Sequence, residues 1–120
     1  MKPPPPNYLF TVVSAHERSY DNPIRVRRGN LMVLTGKREE WDGWTWLWAE
    51  AGGRMGWVPD DLPERAGALW RAAYDYSALE LTLRPGDRLV GLRSSHGWVW
   101  CLDDDGEEGW APQRCLAAAD

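Results

Sequence analysis

Two cysteines, two histidines and one acidic run are the residues of this chain whose types could do chemistry. Cys101 and Cys115 could supply thiolates for nucleophilic, redox or metal work, but neither stands in a paired spacing that a zinc site or a redox motif requires. His16 and His96 fall in loop-like segments with no cysteine or carboxylate at ligand spacing, so both are read as solvated. The run Asp103-Asp-Asp-Gly-Glu-Glu lacks the alternating oxygen ligands of a calcium loop and reads as a charged turn. Glycine motifs that cradle phosphate and a Ser-His-Asp arrangement are absent from the sequence. The expectation is a protein with no catalytic residue, no metal and no cofactor.

What the sequence does offer is tryptophan, nine residues in 120. Indole combines a large apolar body with one N–H donor, so this abundance points to aromatic cores or aromatic contact surfaces. Hydrophobic residues make up 43% and charged residues 27%, which suits a folded domain rather than a disordered chain. Residues 1–63 carry 8 basic and 8 acidic side chains and residues 64–120 carry 6 and 10, a balance that disfavours phosphate tracking and hence nucleic-acid binding. No stretch is long and apolar enough for a membrane span. The opening Met1-Lys-Pro-Pro-Pro-Pro6 lacks the apolar run of a secretory signal, so the expected location is cytoplasmic.

The elements that must position these rings are written twice. Ile24-Arg-Val-Arg-Arg-Gly-Asn-Leu-Met-Val33 reads without a gap against Leu81-Thr-Leu-Arg-Pro-Gly-Asp-Arg-Leu-Val90, which sets Gly29 against Gly86. Gly43-Trp-Thr-Trp-Leu-Trp48 matches Gly97-Trp-Val-Trp-Cys-Leu102, and Gly56-Trp-Val-Pro59 matches Gly109-Trp-Ala-Pro112. Small offset changes fall in loops, where insertions are best tolerated, so the ordered blocks indicate one fold repeated. Within each copy the signals are for strands: Gly52-Gly53 and Asp105-Gly106 supply the positive φ angles of tight hairpin turns. Cys101 aligns with Leu47 and Cys115 with Leu62, so both cysteines are read as small buried hydrophobes.

The blocks Ala72-Ala-Tyr-Asp-Tyr76, Glu80-Leu-Thr-Leu-Arg-Pro-Gly-Asp87, Gly97-Trp98 and Gly109-Trp-Ala-Pro112 resemble, in order, those of Src-homology-3 domains. The resemblance implies an all-β chain of two tandem five-stranded Src-homology-3-like barrels: a proline-rich lead-in at 1–7, a first barrel at 8–63 and a second at 68–117. It also implies a protein or peptide ligand, proline-containing in the family's usual case, lying on a shelf of rings. Tyr74, Tyr76, Trp98 and Pro112 match shelf positions and Trp110 the aromatic rim. In the first copy Trp44, Trp57 and Pro59 are kept, while Phe10-Thr-Val-Val-Ser14 replaces the Tyr-Asp-Tyr block. Two departures speak against a standard proline ligand: the acidic cluster that usually pairs with a ligand Arg or Lys is reduced to Glu80, and the closing tyrosine is replaced by Cys115.

Strand alternation puts Trp44, Trp46 and Trp48 on one face, with Thr45 and Leu47 on the other. Thr45, Leu47, Val99 and Cys101 are expected to face the cores and the tryptophan stripes to face outward, where something must cover them. The cover is the other repeat, a second chain or a ligand. The leading functional expectation is a non-catalytic peptide-binding module with its main shelf in the second copy; the alternative is a self-assembling subunit, a homodimer through its stripes.

Overall fold

The computed structural model describes residues 8–119, so the proline-rich lead-in lies outside the described residues. The strands are β1 (Tyr8–Val12), β2 (Arg25–Val26), β3 (Leu31–Trp41), β4 (Trp44–Ala51), β5 (Arg54–Pro59) and β6 (Pro63–Ala66). They continue with β7 (Leu69–Ala72), β8 (Tyr76–Ser77), β9 (Arg88–Ser95), β10 (Trp98–Asp103), β11 (Glu108–Pro112) and β12 (Leu116–Ala118). A single 3-10 turn at Gln113–Cys115 is the only helical element among the described residues, and no helix there is long and apolar enough to cross a membrane.

The strands form two five-stranded antiparallel sheets, in the orders β11-β10-β9-β1-β12 and β5-β4-β3-β7-β6, with β2 paired to β8. Each hydrogen-bonded ladder has two ends, so the sheets are open where closed barrels were expected. The repeated turns are equivalent: Gly29 and Gly86 have φ of 88° and 96°, and their N–H groups donate to Ala72 O and Val12 O at 2.8 Å each. The hairpin glycines anticipated at Gly52, Gly53 and Gly106 also lie at positive φ.

The division of the chain differs from the tandem one. Among the described residues one compact unit is Tyr20–Leu79; the other joins residues 8–19 to residues 80–119. The first strand is the reason. β1 pairs not with the strands that follow it but with β9, through Tyr8↔Gly91 and Phe10↔Leu89, and with β12 through Phe10↔Ala118 and Val12↔Leu116. Its place in the Tyr20–Leu79 unit is taken by β7, paired with β3 through Leu31↔Arg71 and with β6 through Ala66↔Leu69. Set against the repeat expected from the sequence, the first strands are thus exchanged.

Local chain geometry favours this outcome. The segment between the two expected barrels, Pro63–Ala68, is strand β6 and the two-residue turn Gly67-Ala68, with Gly67 at φ 64°. Closing β6 onto β7 through two residues costs far less chain entropy than pairing β6 with β1 some fifty residues earlier. Packing agrees: a Cβ at Gly91 would lie 2.6 Å from Phe10 Cε2, so the phenyl ring needs a bare backbone there. At the position of Tyr20–Leu79 that matches Gly91 in the repeat stands Leu34, which would oppose that ring.

The core of the unit holding β1 is Phe10, Val12, Leu81, Leu83, Leu89, Val99, Cys101, Ala111 and Cys115. Val99 and both cysteines therefore face inward as expected. In Tyr20–Leu79 the fully covered side chains include Ile24, Val58, Leu62, Ala49 and Ala72. Thr45 and Leu47, expected in that core, are only half-buried, whereas Trp46 on the opposite face is 6% exposed. The expected outward stripe is thus partly roofed within its own unit: Trp46 lies against Trp41 at 5.5 Å, and Trp57 meets Trp41 and Trp48 edge-on at 5.2 and 5.1 Å.

Candidate functional site

The exchange redistributes the eight candidate ring and proline positions. Tyr74 and Tyr76, expected beside Trp98, Trp110 and Pro112, belong to the Tyr20–Leu79 unit with Trp44, Trp57 and Pro59. Trp98, Trp110 and Pro112 belong to the unit that contains β1. The expected five-residue shelf of the second copy is therefore divided, and a fuller set of rings is assembled in Tyr20–Leu79.

In that unit each partner is held by a nameable feature. Asp42 and Gly43 form the β3–β4 turn at φ 54° and 83°, which leaves Trp44 as the first residue of β4 and 44% exposed. Trp46 stands opposite Pro59, so Trp44 lies one pleat beyond the proline on the same face. After Pro59 the backbone turns sharply, with the Asp60 N–H donating to Thr45 O at 3.3 Å and the Leu62 N–H to Pro59 O at 3.0 Å. Ala73 N–H donates to Leu62 O at 2.8 Å, which places Tyr74 alongside this turn. The Tyr74 hydroxyl then donates to the Asp61 carboxylate at 2.7 Å.

Half-buried Tyr74 is thus fixed by a charge-assisted bond, and its phenol is pushed well above the ordinary tyrosine range, first by burial and then by Asp61. Tyr76, at 8% exposure, is an internal support rather than a contact ring, and Pro59 is buried too. Trp57 is half-buried in the aromatic cluster, where the Lys37 ammonium sits 5.3 Å from both the Trp48 and Trp57 rings. Of the candidate residues in this unit Trp44 is exposed and Tyr74 half-buried, and Asp60 and Asp61, in the turn that Tyr74 joins, are exposed.

The second shelf is built differently. The His96-Gly97 turn, at φ 50° and 84°, precedes half-buried Trp98, which pairs with buried Pro112 across β10 and β11. Trp110, expected at a ligand rim, is 6% exposed and packs edge-on against Trp100 at 5.2 Å. Trp100 in turn donates its indole N–H to Glu108 at 2.8 Å and carries the Arg93 guanidinium over its ring at 4.9 Å. Both tryptophans therefore have their partners within the sheet.

Sequence reasoning missed the residues that stand where the tyrosines would be. Val26 pairs with Tyr76 in one unit and Leu83 bridges His16 in the other, and Val26 aligns with Leu83 in the repeat. His16 therefore occupies the Tyr76 position, and by the same count Ser14 occupies that of Tyr74. The expectation of a solvated His16 is corrected: its Nε2 lies 2.7 Å from Glu80 Oε1, and its ring meets Trp98 edge-on at 5.5 Å. Ser19 donates to the same carboxylate oxygen through its N–H at 3.2 Å and its hydroxyl at 3.0 Å. The signal was present, since His16 follows Val12 by the same count as Tyr76 follows Ala72, but it becomes visible only when the strands are exchanged.

Both cysteines are free and buried, and burial pushes the Cys101 thiol up to about 12 from its ordinary 9.0. A thiol so disposed is a packing group, not a nucleophile.

No curated protein and no solved structure matches this chain. Residues 9–62 match the family model of the variant SH3 domain. The match follows the linear order of the first copy, from β1 through the turn after β5, and so spans the exchange point between Ser19 and Tyr20. The likeness covers less than half of the chain, residues 9–62 of 120.

Proposed function

We propose that this chain is a protein-interaction module, without catalytic activity of its own, whose principal surface is the Trp44–Tyr74 shelf of Tyr20–Leu79. Domains of the matched type are generally non-catalytic modules that bind proteins or peptides. The observation that carries the assignment is Tyr74, held by Asp61 at 2.7 Å, in the same unit as a Trp44 that is 44% exposed and as the exposed carboxylates of Asp60 and Asp61. Rings with little rotational freedom bind an extended, proline-containing segment at small entropic cost, and Asp60 and Asp61 favour a cationic residue at its end. Because the shelf draws Trp44 and Pro59 from one repeat and Tyr74 from the other, it replaces the second-copy shelf expected from the linear sequence.

The test is an amide and indole shift titration with a panel of synthetic proline-rich peptides, with and without a terminal arginine. The Trp44 indole is expected to respond first, with affinity in the tens-of-micromolar range. Folded Trp44→Ala is expected to weaken binding about tenfold, the loss typical of removing a central aromatic contact. Unaltered binding by that variant would remove the proposal.

A self-assembly reading rests on a separate observation. Leu31, Val33, Met55 and Leu69 are 52 to 60% exposed and fall, by pairing register, on one face of the β3-β4-β5-β7 sheet. A mass in solution of two chains, persisting on dilution, would support it over ligand binding.

A further inference from the structure

Each unit contains a pair of tryptophans that holds a cation of its own chain. In Tyr20–Leu79, Trp48 stands opposite Trp57 across β4 and β5, and the rings meet at 77° with centroids 5.1 Å apart. The Lys37 ammonium lies 5.3 Å from both centroids. In the other unit Trp100 stands opposite Trp110 across β10 and β11 and meets it at 75° and 5.2 Å, with the Arg93 guanidinium 4.9 and 5.9 Å from the two centroids. The same two-ring corner is thus filled twice by a positive charge, which the negative faces of the indoles attract.

What separates the two corners is access. Trp100 and Trp110 are buried, whereas Trp48 and Trp57 are half-buried and Lys37 is exposed. A bulge delivers the lysine: Thr35, Gly36 and Lys37 stand opposite Trp48 alone, with Gly36 at φ 89° and the Lys37 N–H donating to Thr35 Oγ1 at 3.3 Å. β3 continues on the same face with Glu39 and Trp41, because Glu39 pairs with Trp46 and Trp41 with Trp44. Trp41, 37% exposed, meets Trp57 at 77° and 5.2 Å and donates its indole N–H to the Glu39 carboxylate at 2.9 Å. Among the described residues Lys37 forms no ion pair, so its ammonium is held by rings.

We propose that Trp48 and Trp57, with Trp41 against Trp57, form a seat for a trimethylammonium group, and that Lys37 is its displaceable occupant. The site uses neither Trp44 nor Tyr74 and does not rest on the peptide reading. A primary ammonium is a weak occupant here, since its three N–H groups find no lone pair on an indole face and remain turned to water. A trimethylammonium group carries the same charge, has no N–H to satisfy, and buries its methyl groups against both rings. The Glu39 carboxylate on the same face adds attraction for either cation. Arg93 differs from Lys37 because a planar, weakly hydrated guanidinium stacks well on a ring, so the sister corner is a closed structural contact.

The probes are choline, its uncharged isostere with a quaternary carbon in place of the nitrogen, and a short peptide carrying trimethyllysine. Each is titrated into the full chain while the indole N–H signals of Trp48 and Trp57 are followed. Choline is expected to bind with a Kd in the millimolar range and the isostere about fivefold more weakly, the size of a partly exposed cation–π contact. Lys37→Ala empties the seat and should tighten choline about threefold, by removing a competing occupant. Arg38→Ala removes an equal charge from the opposite face of β3 and should leave choline binding unchanged. Trp48→Leu, which keeps an apolar side chain without a π face, should erase the preference for choline over the isostere. Tighter binding of the trimethyllysine peptide than of choline assigns the group to a peptide side chain, and the reverse assigns it to a free small molecule. An isostere bound as tightly as choline, an affinity unchanged in Lys37→Ala, or an equal tightening in Arg38→Ala overturns the site.

Discussion

The side chains that set this protein's chemistry are those whose neighbours hold them neutral or paired. Cys101 is fully covered in the core, and its thiol, pushed up to about 12, retains its proton when the same thiol in an unfolded chain has lost it. Between pH 9 and about 12 the folded state therefore binds one proton more than the unfolded state, and stability must fall as pH rises. Tyr74 acts in the same direction, since its phenol is also raised, by burial and by Asp61. Denaturant midpoints are expected to be level from neutrality to about pH 8.5 and to drop beyond it, with Cys101→Ala flattening the first part of the fall. A midpoint that rises through this range would contradict the placement of Cys101. The acidity of these groups could not be read from the sequence. In the case of Tyr74 burial is the first source and the second is a contact across thirteen positions, with a carboxylate in a turn that the repeat pattern had not joined to it.

At the scale of elements, what the sequence disclosed was each strand's own character and what it withheld was each strand's partner. The hairpins at Gly52-Gly53 and Asp105-Gly106 and the paired turns at Gly29 and Gly86 were legible because positive φ is a local demand that glycine meets. The inward faces of Val99 and Cys101 were legible from alternation. Alternation failed at Leu47 and Trp46, because β3 carries three residues between Leu34 and Arg38 where β4 has only Trp48, an excess of two that changes what covers each face. It could not say where β1 goes, since the same alternating strand fits either repeat. The physical discriminator is the fit of Phe10 over Gly91. Gly91→Ala is accordingly expected to destabilise the protein by about 1–3 kcal/mol, because the added methyl displaces a buried ring at a site already at packing density. Gly91→Ala combined with Phe10→Leu should recover part of that loss. Thermal unfolding of the two variants measures this, and an additive pair would show that the ring and the glycine are not coupled.

For the whole molecule, the exchange determines which pieces can exist. Tyr20–Leu79 is continuous in sequence and contains every strand of its own sheet, whereas residues 8–63, the first copy expected from the sequence, carry β1 without its partners and lack all but the first residue of β6 and the whole of β7. Residues 20–79 made alone are expected to give a dispersed β-sheet amide spectrum and to retain the Trp44 response, while residues 8–63 are expected to remain unfolded or aggregate through unpaired edges. A well-folded 8–63 fragment would mean that the strands prefer the unexchanged pairing.

The position of β1 also imposes an order of events on synthesis. The chain leaves the ribosome from its N-terminus, so Tyr20–Leu79 has all of its strands before β9 has been made. β1 must then wait for β12, roughly a hundred residues later, which at typical elongation rates is on the order of 5–20 s with its hydrogen-bonding edges unmatched. During that interval the nascent strand is the part of the protein most exposed to chaperones and to mispairing. A stall placed shortly before residue 88 would hold the chain with one unit complete and β1 still open to capture.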